Sequence, residues 1–327
     1  MSLVDTIGFV SGIFTIVGFL QSNFPGSAPE GAKVQIKAGS GDDGSSELGG
    51  TVQAVYAFDF GNNFIGESGS KSVDAGGILE VTIDQDTPGL QADYVSVSNG
   101  NDATCIAWIS VSQYDGTEGG SWTGDIGANC GLSWYYGNQL AGRKEDDSEW
   151  RPLCAWLDGD HTNDIENAAL KFRVRAYGED SEDTINNDHA CGSTLFGTET
   201  GPINGKLSWM CRTLSPYLRY DAGQPAKRDT SVRTAQMEDT IILSNFTDHT
   251  AEALCSSDSS WGPDFVGSDS KFCDMATKTL STLCSTEDVD GCVGVDADSK
   301  TVTKRSTVAR RSVNTVHKSY RKVSQWE

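Results

Sequence analysis

Hydrophobic and polar positions change period along this chain. Between Leu3 and Asn23 the repeat is helical: Ile7, Val10, Phe14, Val17 and Leu20 form an apolar stripe, and Gly8, Ser11, Gly12, Thr15 and Gly18 set small residues along one face. This predicts an apolar helix over residues 1–25, stopped at Pro25. Gly8 and Gly12 form a small-xxx-small pair that lets two helix backbones approach closely, so the natural partner is another helix. Leu3 to Asn23 is also about 31 Å of helix, enough to cross a bilayer, which makes residues 3–23 a candidate membrane contact. Asp5 stands where a secretory signal carries positive charge, and the first cation is Lys33.

From Lys33 onward the period becomes two. Val34, Ile36 and Ala38 alternate with polar partners, as do Leu79, Val81 and Ile83. The run TCIAWISVSQY is apolar on both sides at its start, which predicts a central strand. In ALKFRVRAY the alternation places Leu170, Phe172, Val174 and Ala176 inward, and Lys171, Arg173 and Arg175 toward water. Short strands separated by Gly, Asp and Asn turns predict a mainly β fold, an antiparallel β-sandwich or jelly roll over residues 33–178. The acidic run Gly178–His189 reads as a solvated linker or loop. Residues 179–300 read as a mixed region containing cysteines, with a strand at MEDTIILSN and a capped helix beginning near Asp248. A basic tail follows over residues 301–327.

Charge sharpens this division. The chain has 25 Lys+Arg against 46 Asp+Glu, a net charge of −21. Nucleic-acid binding needs clustered positive charge and is excluded as a main function. Yet Lys304, Arg305, Arg310, Arg311, Lys318, Arg321 and Lys322 face only Glu327 in the last 27 residues. Such a segment lies on its own acidic body, docks on a neighbouring copy, or stays solvated and mobile. Nine cysteines favour disulfides and an extracellular or cell-surface location, and the odd number leaves one over; a retained N-terminal segment would instead suit an intracellular or membrane-associated protein. Cys273 and Cys284 flank DMATKTLSTL and are candidates to close a hairpin. Asn245-Phe246-Thr247 is a glycosylation sequon, a pattern also common by chance.

Candidate chemistry is sparse. In LDGDHTNDIEN, Asp158, Asp160, Asn163 and Asp164 present hard oxygens around one loop, a weak Ca²⁺ candidate beside the commoner reading as an Asx-rich turn. No CxxC, HxxxH, GxSxG or phosphate-cradling loop occurs, and the four histidines are dispersed, so no catalytic residue is assigned. Trp108, Trp122, Trp134, Tyr135, Tyr136, Trp150 and Trp156 are either core residues or a stacking platform for sugar rings.

The strings DTIGFVSGIFTIVGFLQSNFP, TCIAWISVSQYDGTEGGSWTGDIGANCGLSWYYGN, SSWGPDFVGSDSKFCDMATKTLSTLC and the ending SYRKVSQW resemble a group of ascomycete fungal proteins. The resemblance runs along most of the chain and implies a shared architecture and a fungal source. It brings no activity and no site residues. The sequence as a whole points to a non-enzymatic structural or self-assembling protein, forming homo-oligomers or filaments through its N-terminal helix and basic tail. Association that weakens at high salt and fails without residues 1–25 is the corresponding expectation. The alternatives are a secreted or cell-surface binding module, with glycan as one ligand class, and a membrane-inserting protein.

Overall fold

Strand formation begins where the period-two pattern begins. The computed structural model describes residues 31–39, 48–143, 147–162, 164–186, 189–205, 233–308 and 311–327. The predicted helix over residues 1–25, with Gly8, Ser11, Gly12, Thr15 and Gly18, lies outside the described residues, as do Asn163 and Cys211. The chain divides into two units, Met1–Gln224 and Pro225–Glu327, in place of the expected boundaries near 178 and 300.

The first unit contains β1 (Lys33–Ala38), β2 (Gly50–Phe58), β3 (Phe64–Glu67), β4 (Lys71–Val73), β5 (Ile78–Thr82), β6 (Asp84–Gln85), β7 (Tyr94–Asn99), β8 (Thr104–Ser112), β9 (Glu118–Thr123), β10 (Trp134–Tyr135), β11 (Gly142–Arg143), β12 (Glu149–Trp150), β13 (Cys154–Leu157), β14 (Ala169–Arg173) and β15 (Thr194–Gly197). One antiparallel sheet runs β10-β13-β8-β1-β5, with β9 also on β8. The other runs β15-β14-β7-β2-β3-β6, with β4 also on β2. Their inner faces share one core: Val34 and Ile36 of β1, Ile109 and Val111 of β8, Val55 and Ala57 of β2, Val95 and Val97 of β7, Leu170 and Phe172 of β14. This is the expected antiparallel sandwich, and β8 is its central strand, buried from Thr104 to Val111. Burying each large aliphatic or aromatic side chain contributes about 1.5–3 kcal/mol.

The alternation in ALKFRVRAY ends early. After Arg173 the backbone turns into a 3₁₀ helix, Val174–Tyr177. Gly178 then meets Gly120 of β9 in an isolated bridge. A Cβ on Gly120 would lie 2.1 Å from the Val174 carbonyl oxygen, so only glycine fits this crossing. Within the acidic run expected as a linker or loop, Ser181–Asn186 forms a helix of the first unit, α2, which follows α1 (Gly124–Asn129), and β15 beyond it extends the sheet through β14. Disulfides Cys105–Cys154 and Cys130–Cys191 staple this unit.

The second unit begins with α3 (Ala235–Glu238), β16 (Thr240–Ser244) and α4 (Ala251–Ser256), capped by the Thr250 side chain, which accepts from the Ala253 N–H. β17 (Asp264–Val266), β18 (Lys271–Asp274), β19 (Thr279–Thr282), β20 (Val293–Asp296), β21 (Thr301–Val308), β22 (Arg311–Ser319) and β23 (Lys322–Trp326) follow. One sheet runs β19-β18-β17-β16-β23, with β16 parallel to both β17 and β23; the other is β20-β21-β22. In place of the expected basic tail over residues 301–327, the described residues there form the strands Thr301–Val308, Arg311–Ser319 and Lys322–Trp326 of this unit. The hairpin closure through Cys273 and Cys284 is also corrected, because Cys273 bonds Cys255 on α4 and Cys284 bonds Cys292 across a short loop.

Candidate functional site

Of the two readings of the aromatic cluster, core or sugar platform, the structure bears out the core. Trp122, Trp156 and Tyr135 are fully buried, and Trp108, Trp134, Tyr136 and Trp150 nearly so. Exposed aromatic surface lies elsewhere, in FDFGNNF at the turn from β2 to β3. Phe60 is 71% exposed and Phe64 44%. Phe64 also packs edge-on against the buried Phe58 ring, at 6.1 Å between centroids.

Local chemistry fixes this turn. The Asp59 carboxylate accepts from the Asn63 backbone N–H at 2.8 Å and from its side-chain amide at 2.9 Å. Those Asn63 bonds hold the Asp59 carboxyl below its ordinary range. The Asn62 N–H donates to the Asp59 carbonyl at 2.9 Å, and Asn62 takes the left-handed conformation (φ 65°) that asparagine tolerates better than most residues.

A second element clamps the turn from beneath. Lys171, predicted to face water, is fully buried on the outer face of β14. Its ammonium donates to Asn62 Oδ1 at 2.5 Å and to the Ile203 carbonyl at 2.8 Å, and it lies 3.4 Å from the centroid of the Phe58 ring and 5.5 Å from that of Tyr94. Phe58 and Tyr94 are paired across β2 and β7, so the charge rests on a cross-strand aromatic pair. The Asn62 side-chain amide in turn donates to the Asn204 carbonyl at 3.1 Å. Among the described residues no carboxylate pairs with Lys171, and burial pushes its ammonium down to about 8 from 10.5. Two neutral acceptors and two aromatic faces thus hold a cation that fastens β14, the β2–β3 turn and the segment near Ile203 together. The result is a rigid tip with two phenylalanines turned to water.

The sequence-predicted candidates fall apart from this tip. Asp158 is buried at the end of β13, while Asp160 Oδ1 accepts from the Thr162 N–H at 3.1 Å. His161 and Asp164 adopt left-handed conformations there. These are the bonds of an Asx turn, and among the described residues no group of three His, Cys, Asp or Glu side chains is placed to hold a metal. Asn245 is exposed just after β16.

The second unit encloses a charged cluster that the sequence did not signal. Asp264 is fully buried. Its Oδ1 accepts from Arg233 Nη1 at 2.9 Å and from the Met275 N–H at 2.8 Å; its Oδ2 accepts from Lys318 Nζ and the Tyr320 hydroxyl, each at 2.8 Å. Lys318 also pairs with Asp274 at 2.7 Å. Burial and the Asp264 carboxylate push the Tyr320 phenol far above its ordinary value. Every oxygen of Asp264 is occupied by internal donors, so the cluster ties β17, β18 and β22 together and offers no open acid or base. No protein-family model matches the chain, and no curated protein matches it.

Proposed function

We propose that this is a non-enzymatic, structural protein of an oxidising compartment, extracellular or at the cell surface, which associates with copies of itself through exposed apolar surface. The observation that carries the reading is the immobilised β2–β3 tip. Phe60 is 71% exposed on a turn whose bonds are already formed, so little conformational entropy is lost when a partner covers it. Large aromatic side chains on rigid supports are the residues that dominate interface energetics. The N-terminal segment, with its small-residue face, is the second proposed contact, of helix against helix.

The compartment part of the reading is supported by four disulfides that pair eight of the nine cysteines. Among the described residues no helix is long and apolar enough to cross a membrane. The test is the particle mass of the full chain by light scattering, beside the double variant Phe60→Ser, Phe64→Ser. A defined oligomer that loses mass in the variant supports the reading. An unchanged mass removes the tip from the assembly contact, and a monomeric parent chain removes self-association altogether. In that last case a binding module of the same compartment is the reading that the disulfides favour.

A further inference from the structure

We infer that Asn245 carries an N-linked glycan, an inference that rests on the oxidising-compartment reading. The chain contains one sequon, Asn245-Phe246-Thr247. A sequon by itself is weak, and what the structure adds is placement. Asn245 is the first residue beyond β16, at the bend that leads toward α4. Its backbone N–H donates to the Trp326 carbonyl at 2.9 Å, which fixes the main chain at this point. Its side chain is exposed and, among the described residues, makes no hydrogen bond, so a sugar on Nδ2 displaces no bond of the fold.

The other two positions complete the case. Phe246 turns partly inward, with its ring edge-on to the buried His249 at 5.1 Å between centroids. That anchors the middle residue and leaves Asn245 and Thr247, one on each side of it, exposed. The Thr247 carbonyl accepts from the Ser268 hydroxyl at 3.3 Å, which leaves the Thr247 hydroxyl as the group a transferase reads. The folded protein thus has room for a bulky hydrophilic chain at the one position where the sequence invites it.

The reaction balances without any group from this protein beyond the amide. Asn245 Nδ2 forms a bond to the anomeric carbon of a lipid-diphosphate-linked oligosaccharide. The anomeric carbon–oxygen bond breaks, the diphosphate leaves with the electron pair, and the amide proton passes to a base of the transferase.

The test expresses the full chain in a eukaryotic host and recovers it under conditions that preserve cysteine oxidation. Digestion with peptide N-glycosidase converts a glycosylated Asn245 to aspartate, read by peptide mass spectrometry, and sharpens the gel band to a faster mobility. Asn245→Gln and Thr247→Ala are expected to lose that mobility shift, and Thr247→Ser to keep it. A chain with all four disulfides formed and unmodified Asn245 overturns the inference and leaves the compartment reading intact. A chain with reduced cysteines and no glycan overturns both.

Discussion

Replacing Lys171 with methionine isolates the energetic role of the ammonium beneath the β2–β3 turn. The side chains are similar in length, and methionine keeps apolar contact with Phe58 and Tyr94 while removing the charge. Burial lowers the ammonium from 10.5 to about 8, so the folded state releases its proton more readily than the unfolded chain. Between those two values the unfolded state binds more protons, and stability therefore rises with pH across that window. Below about pH 8 both states hold the proton, and the group adds no slope. Integrated from pH 7 to pH 10, the shift corresponds to a rise of about 2–3 kcal/mol in the parent protein. Lys171→Met is expected to lack this rise. Tyr177 and Tyr320, both pushed upward by burial, lower stability as the unfolded phenols ionise near pH 10, but they do so equally in both proteins and cancel in the difference. At pH 7 the terms of the substitution oppose each other, so the pH dependence and not the absolute value is the readout. Losing the desolvated charge relieves about 3 kcal/mol. Leaving Asn62 Oδ1 and the Ile203 carbonyl without their donor costs about 1–3 kcal/mol each. The assay is denaturant unfolding at pH 7, 8, 9 and 10, with disulfides intact and the remaining thiol blocked, read as the difference between parent and variant. Parallel pH curves for the two proteins would refute the reasoning, since they would mean that Lys171 titrates like a solvated lysine.

Four further outcomes follow from the same structure. Asp264→Asn leaves Arg233 and Lys318 without their shared counter-charge and is expected to cost about 3–5 kcal/mol, measured by denaturant unfolding. Gly120→Ala drives a Cβ onto the Val174 carbonyl where no flexible group can yield, so the thermal midpoint is expected to fall by several degrees, while Gly192→Ala, where a Cβ meets nothing within 4 Å, leaves it unchanged. The paired substitution of Cys105 and Cys154 by alanine, opening a closure of 49 residues, is expected to cost about 4 kcal/mol. The same change at Cys284 and Cys292, which are 8 residues apart, should cost about 2–3 kcal/mol, and an inverted order would count against the loop-entropy account.

What the sequence made legible was what a period can encode. Val34, Ile36, Leu79, Val81 and Ile83 are all buried as their alternation requires, and the apolar start of TCIAWISVSQY marks the central strand. The strand at MEDTIILSN and the helix after His249 also form, because each carries its own local signal of β-branched residues or a capping threonine. Lys171 shows where that logic stops. Alternation says correctly that its side chain leaves the core face, but it cannot say that the outer face is itself covered, since that depends on Asn62 and Ile203, 109 and 32 residues away. The Phe60 and Phe64 tip was missed for the opposite reason: a turn rich in Gly, Asp and Asn reads as solvent-exposed, and the lysine that adds to its local Asp59–Asn63 bonds lies on another strand. Cysteine order does not fix the pairing either: Cys284 bonds its neighbour Cys292, eight residues on, and Cys273 bonds Cys255, so the nearness of Cys273 and Cys284 in sequence was no guide.

The last 27 residues change what the proposed self-association would rest on. Read as a string, they are a cationic arm beside an acidic body, which suggested salt-sensitive docking on a neighbour. In the fold three of their cations pair with acids of the same unit: Lys318 with Asp264 and Asp274, Arg305 with Asp288, and Arg321 with Asp239. β23 hydrogen-bonds along the whole of β16, and Tyr320 and Trp326 are buried in the second unit. Deleting this segment would remove part of a core, so a loss of assembly after truncation would report unfolding rather than a lost contact. Ionic strength is the cleaner probe. Contacts between exposed charges fade once salt shortens the screening length to about 3 Å at 1 M. Contacts of the kind proposed for Phe60 and Phe64 should hold and strengthen in sulfate, which favours burial of apolar surface. Association through the aromatic tip is therefore expected to persist in 1 M sodium chloride and to increase in sulfate, read by light scattering. Dissociation in sodium chloride would return the contact to the cations of residues 301–327 and sink the apolar account.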